Sequence, residues 1–89
     1  MAQQKVSRLL LEKVGNLLYG EKARLVVNDH LLWRVPVWLG LPDYGPVGQV
    51  GHLDVDAQSG QINYTQETLT EIADRADALA TRSTPATNA

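Results

Sequence analysis

The feature that most constrains this chain is the stretch of residues 31–39, in which two sets of side chains alternate with a period of two. Because successive side chains of a strand point to opposite faces of a sheet, this alternation predicts a strand with one face in the core. The core face is expected to carry the large apolar set, Leu31, Trp33, Val35, Val37 and Leu39. Pro36, in the other set, lacks an N–H and therefore predicts an edge strand or a bulge.

Helical spacing of apolar residues predicts one helix before this strand, over 3–19, and one near the end of the chain, over 65–82. Three further strands are predicted from short apolar runs bounded by turn residues, at 22–27, 47–57 and 61–64. A bulge is expected near Gly48 or Gly51, because Val50 is out of phase with Leu53.

The predicted fold class is α+β, in the order α-β-β-β-β-α. The turns between the strands are too short for parallel pairing, so the four-stranded sheet is antiparallel. Each helix has one apolar face, and both faces are buried most simply on one side of the sheet. We expect a single domain over 1–82 and a disordered tail over 83–89, because the tail is polar and contains a proline.

Composition excludes several classes of function. The 89 residues include no cysteine, so disulfides, thiolate nucleophiles and Cys-ligated zinc are ruled out. The net charge is −2 and the basic residues are scattered, which argues against nucleic acid as a partner. The apolar run after residue 8 is too short for an export signal or a membrane span, so a cytoplasmic protein is expected.

The best candidate for polar chemistry is the row His52, Asp54 and Asp56 on one face of a predicted strand. One imidazole and two carboxylates could bind a divalent metal ion. The alternative is the ordinary polar, solvent-facing side of an antiparallel strand. No nucleophile, general base or phosphate-binding loop is recognisable, so we expect a protein that is not an enzyme and needs no cofactor.

An apolar surface is the more informative feature. If both helices cover the face that carries Trp33, the other face is left open, and large apolar side chains there are typical of a protein interface. The predicted interface combines residues of the strand with residues of the following loop: Leu32, Arg34, Pro36, Trp38, Leu41 and Tyr44. Alternatively, a helix or the loop buries Trp38 within the monomer.

The run from Leu53 to Ile62, with Val55-Asp56-Ala57 before Ser59-Gly60, resembles the hallmark of PepSY domains. The strand at 32–37 is similar to that family's aromatic-x-Val-x-Val strand, and the resemblance covers about 6–64. It implies a small non-catalytic module of the kind found in protease propeptides and cell-envelope proteins, with Asp56 and Gly60 as turn-forming positions. The second helix and the lack of an export signal depart from that family.

The sequence therefore predicts a small protein-interaction module that binds a second copy of itself or another protein, with a homodimer as the simplest arrangement. Two alternatives stay open. One is an antitoxin-like inhibitory partner of a basic nuclease, which the mild acidity allows. The other is a metal-binding protein that uses His52, Asp54 and Asp56.

Overall fold

The structure of the protein is a computed structural model, and it describes residues 2–15, 17–27 and 29–83. A helix stands at each end of an antiparallel sheet, which confirms the α+β class. The elements, in chain order, are α1 (Ala2–Lys13), β1 (Leu18–Gly20), β2 (Arg24–Val27), β3 (Leu31–Leu41), β4 (Gly45–Asp56), β5 (Ile62–Asn63) and α2 (Gln66–Ser83). Within these described ranges the sheet has five strands, where four were expected. Most of the predicted tail, residues 84–89, lies outside the described residues.

The centre of the sheet is β3, which has neighbours on both sides. On one side it pairs with β4 along its length, and β5 pairs with the far edge of β4. On its other side β3 pairs with two short strands placed end to end, first β2 and then β1. All these pairings are antiparallel. The predicted loop after Leu39 is mostly strand, because β3 continues to Leu41 and β4 begins at Gly45.

The prediction from Pro36 of an edge strand or a bulge is wrong, because β3 is central and Pro36 is paired in register with His52. The carbonyl oxygen of Pro36 accepts the N–H of Glu21 at 2.8 Å, so its backbone nitrogen faces the same side. On that side Glu21 lies in the break between β1, which ends at Gly20, and β2, which begins at Arg24. A residue without an N–H is tolerated there because no ladder donor is needed.

The first helix is shorter than the apolar spacing predicts, since it ends at Lys13. The N–H groups of Val14 and Gly15 both donate to the carbonyl oxygen of Leu10 at 2.9 Å, which closes the last turn. Leu18 continues the helical spacing in the sequence, but it is buried in β1 opposite Leu39. Pairing with the long strand β3 therefore overrides the local helical pattern.

Both helices pack on one face of the sheet, as predicted. The core joins α1, α2, β1, β3 and β4 in a single cluster: Ala2, Val6, Leu10, Leu18, Val35, Val37, Leu39, Val50, Leu53, Val55, Leu69, Ile72 and Ala76. The pairing of β3 with β4 skips Val50 and Val47, which confirms bulges beside Gly51 and Gly48. Without its bulge, Val50 would point to the face opposite Leu53, whereas it is 3% exposed.

The second helix begins where the sequence predicts. The side-chain oxygen of Thr65 accepts the backbone N–H of Thr68 at 3.1 Å, and its carbonyl oxygen accepts the N–H of Leu69. Thr65 is therefore the N-terminal cap of α2, which satisfies a backbone donor that the helix itself leaves free. In the described part of the chain, neither helix has the length and apolar character needed to cross a membrane.

Close packing between α1 and β1 gives a first test. A Cβ atom at Gly20 would lie 2.8 Å from Cγ1 of Val35 and 3.1 Å from the backbone oxygen of Gln3. We expect Gly20→Ala to lower the free energy of unfolding by about 1–3 kcal/mol through overpacking. Urea denaturation measures this loss. Gly15→Ala is the matched control, because nothing lies within 4 Å of its added Cβ; equal stability of the two variants would contradict the prediction.

Candidate protein-binding surface

The helices leave one end of the sheet uncovered on the face that they otherwise bury. Val35, Val37 and Leu39 of β3 are buried there, but Trp33 and Leu31, on the same face, are 37% and 45% exposed. The expectation that all five alternating residues lie in the core is therefore correct for three and wrong for two. The alternation in the sequence defines which face of β3 points to the helices, but it does not show how much of that face the helices cover.

The exposed end continues onto β2. Leu25 is paired with Trp33 and Val27 with Leu31, so all four side chains share one face. Leu25 is 47% exposed and Val27 is 73% exposed. We call these four residues, Leu25, Val27, Leu31 and Trp33, the hairpin patch. It is a contiguous set of large apolar side chains, which is the usual character of a binding surface.

The backbone of β2 is exposed at the same place. The carbonyl oxygen of Leu31 accepts the N–H of Ala57, which follows β4, so alternation turns the backbone groups of Leu32 and Arg34 towards β2. The backbone groups of their partners, Val26 and Arg24, point back towards β3. The N–H and C=O groups of Leu25 and Val27 therefore point to the outer edge of the sheet.

The other outer strands are closed or very short. On β1, the Nε2 of Gln3 donates to the carbonyl oxygen of Gly20 at 3.1 Å, and the Oγ of Ser7 accepts its N–H at 2.9 Å. Helix α1 thus satisfies both outward backbone groups of Gly20, the last residue of β1. On the opposite edge of the sheet, β5 has two residues. Across the described part of the chain, no hydrogen bond comparable to those at Gly20 covers the outward groups of Leu25 and Val27.

A groove borders the hairpin patch at Trp33. It encloses about 350 Å³ between the start of α1 and the turn that follows β4, and Ala2, Lys5, Trp33 and Val55 are among its lining residues. The Nζ of Lys5 donates to the carbonyl oxygen of Gly60 at 2.8 Å, which ties α1 to that turn. The groove gives the patch a concave side on which apolar and polar groups meet.

The predicted interface lies mainly on the opposite, open face of the sheet. Leu32, Arg34, Pro36 and Trp38 share that face and are half-buried. Tyr44 lies in the turn between β3 and β4 and is 54% exposed. Leu41 is different, because it packs against the core on the helix-covered side. The prediction that Leu41 shares a surface with Trp38 is therefore corrected, since the two positions have opposite parity along β3.

The polar row on the open face is held by contacts within the sheet. Arg34 donates to both carboxylate oxygens of Asp54, at 2.9 and 3.2 Å, and register pairing places the two side chains opposite each other. Asp56 Oδ1 accepts the N–H of Gln58 at 2.7 Å and of Ser59 at 2.9 Å. Among the residues that the structure describes, no three His, Asp or Glu side chains form a group suited to a metal ion.

Asp56 has the turn-forming position that the sequence predicts. Hydrogen bonds from the N–H groups of Ser59 and Gln58 lower the pKa of its carboxyl group below the ordinary value of 3.8. Gly60 supplies the positive φ of 76° that the turn requires, and its N–H donates to the carbonyl oxygen of Asp56 at 2.8 Å. Asp56 is thus engaged in folding the β4–β5 connection.

Comparison with protein-family models, with curated proteins and with solved structures finds no match for this chain. The resemblance to PepSY domains therefore stays a prediction from the residues that carry it.

Sequence reasoning missed the hairpin patch, although it identified the strand that contains half of it. Leu25 and Val27 appear in the sequence simply as part of a short apolar strand. The lengths of the predicted elements could have indicated the patch, because the strand that begins at Leu31 is longer than the helix predicted to cover it.

Asp56 gives a test with a defined sign. Because its pKa is lowered in the folded state, its contribution to stability is present above pH 3.8 and is lost as the pH falls through the folded value. Asp56→Asn keeps an oxygen acceptor for the turn but does not titrate. We expect the wild-type protein to lose more stability than this variant between about pH 4 and pH 2 in thermal unfolding experiments. Parallel losses in the two proteins would contradict this role.

Proposed function

We propose that this protein is a small non-catalytic protein-interaction module that binds a partner chain through the hairpin patch. The observation that carries the proposal is the coincidence of two kinds of exposure on β2. Leu25 and Val27 present large apolar side chains to solvent and, at the same residues, outward-pointing backbone groups. A partner that supplies an extended strand satisfies both at once, because it forms main-chain hydrogen bonds and buries alternate side chains.

The chemistry of the partner follows from these groups. It is a polypeptide segment in extended conformation with apolar side chains at alternate positions, so that one face of the segment covers Leu25 and Val27. Trp33, at the border of the groove, is the aromatic anchor of the surface, since tryptophan contributes strongly where it is buried by a partner. The hairpin patch carries no charge, so electrostatics do not select the partner there.

The open face around Trp38 is a weaker candidate for the same role. Its apolar side chains are half-buried, and Arg34 and Asp54 compensate each other's charge in its centre. The proposal of an inhibitory partner for a basic nuclease rests on net charge alone. The proposal of a metal site would require Asp54 and Asp56 to give up the hydrogen bonds that they form with Arg34 and with the turn.

Photo-crosslinking in living cells tests the module. A photoreactive phenylalanine analogue replaces Val27 in one protein and Leu11 in the control, because Leu11 is comparably exposed, at 60%, but lies on α1 away from the patch. We expect a discrete covalent adduct from position 27 whose cross-linked peptide, identified by mass spectrometry, is an extended apolar segment. The same adduct from position 11, or none from position 27, would contradict the proposal.

The patch can also be tested on stability. Since Val27 is 73% exposed, Val27→Lys should change the free energy of unfolding by no more than about 0.5 kcal/mol, as for an ordinary surface substitution. A matched Val35→Lys variant places a charge at a fully buried core position of β3 and should prevent folding. Chemical denaturation measures both. A large loss for Val27→Lys would show that this residue belongs to the core of the monomer.

A further inference from the structure

We infer that the strand bound at the hairpin patch is β2 of a second copy of this chain. In this arrangement the two β2 strands pair antiparallel about a two-fold axis, with Leu25 of each copy opposite Val27 of the other. The inference rests on the proposed function of the patch and adds the identity of the partner and the register of pairing.

Symmetry and backbone direction select this register. A two-fold axis perpendicular to the sheet keeps each side chain on its own face, so only residues of equal parity can be paired. Pairing Leu25 with Val27 of the second copy places Val26 opposite itself. Leu25 and Val27 are also the residues whose backbone groups point outward, so each such pair exchanges two hydrogen bonds, as in any hydrogen-bonded antiparallel pair.

Neighbouring registers are less favourable. Pairing Val27 with itself places Leu25 opposite Asp29, which sets an apolar side chain against a carboxylate. Pairing Leu25 with itself places Val26 opposite Arg24, which sets an apolar side chain against a charge. It also leaves Val27 opposite the small side chain of Ala23. In the inferred register the segment 25–27 is uncharged, and the two Arg24 residues are four positions apart, about 13 Å along the strands.

The side chains fit the same symmetry. The two hairpin patches become neighbours on one face of a continuous sheet, so the apolar groups of each copy cover those of the other. The three-residue pairing is short, which places this contact among small, weak interfaces with dissociation constants in about the micromolar range or weaker.

The natural absence of cysteine makes a direct test of the register possible. Val26→Cys places one thiol per copy at a non-hydrogen-bonded pair on the axis, where Cα atoms are about 4.5 Å apart and a disulfide fits. Arg24→Cys is the matched control on the same strand and face, with its thiols about 13 Å apart. Under mild oxidation we expect the Val26→Cys protein to form a covalent dimer at least about tenfold faster than the control.

Analytical ultracentrifugation of the wild-type protein and of Val27→Lys, at concentrations up to about 1 mM, completes the design. The inference is supported if the wild type dimerises, Val27→Lys stays monomeric and Val26→Cys is selectively cross-linked. A wild-type dimer with equal cross-linking of both cysteine variants overturns the register. A monomeric wild type overturns the second copy as the partner. The proposed function fails separately, if position 27 gives no adduct in cells to any polypeptide.

Discussion

The dimensions of the two kinds of secondary structure determine the rest of this molecule. A strand rises about 3.3 Å per residue and a helix about 1.5 Å, so the eleven residues of β3 extend about 36 Å while the twelve residues of α1 extend about 18 Å. Helix α2 covers the end of the sheet near Gly48 and Gly51, and α1 covers the middle. Neither extends over the end that contains Leu31 and Trp33. The exposed hairpin patch is thus a geometric consequence of pairing long strands with short helices.

The limited extent of the helices also determines which edges of the sheet have their backbone groups satisfied. The two short strands beside β3 differ in how their outer edges are covered. Gln3 and Ser7 of α1 bond the outward groups of Gly20 in β1, whereas among the described residues no side chain of α1 bonds the backbone of β2. On the other side, β5 is too short to offer much edge. Natural sheets often protect an open edge with a lysine, a proline or a bulge. Here Leu25, Val26 and Val27 contain none of these, which makes β2 the edge that can accept another strand.

Much of the fold could be predicted from the sequence, for reasons that differ from element to element. The alternation from Leu31 to Leu39 defined a strand and its inner face, and the apolar spacing predicted a helix from residue 65, where Thr65 is the cap of α2. Local patterns failed where tertiary pairing decided the outcome. Leu18 fits a helical stripe but joins β3, and Pro36 is tolerated in a central strand because β1 and β2 leave a break opposite it. How far the helices extend over the sheet is also a tertiary property. The sequence therefore predicted a surface centred on Trp38, whereas the hairpin patch lies on the opposite face of the sheet.

Side-chain exposure and backbone exposure coincide on β2 because both follow the same period of two. Leu25 and Val27 occupy the non-hydrogen-bonded positions relative to β3, so their backbone groups point outward, and their equal parity turns both side chains to the helix-covered face. The two properties can nevertheless be altered separately. A lysine at position 27 keeps the outward N–H and removes the apolar group, whereas a proline there removes the N–H and keeps an apolar side chain. Strand pairing requires both the outward N–H and the apolar side chain, whereas simple burial of an apolar patch requires only the side chain. Comparing the two variants therefore distinguishes strand pairing from simple apolar contact.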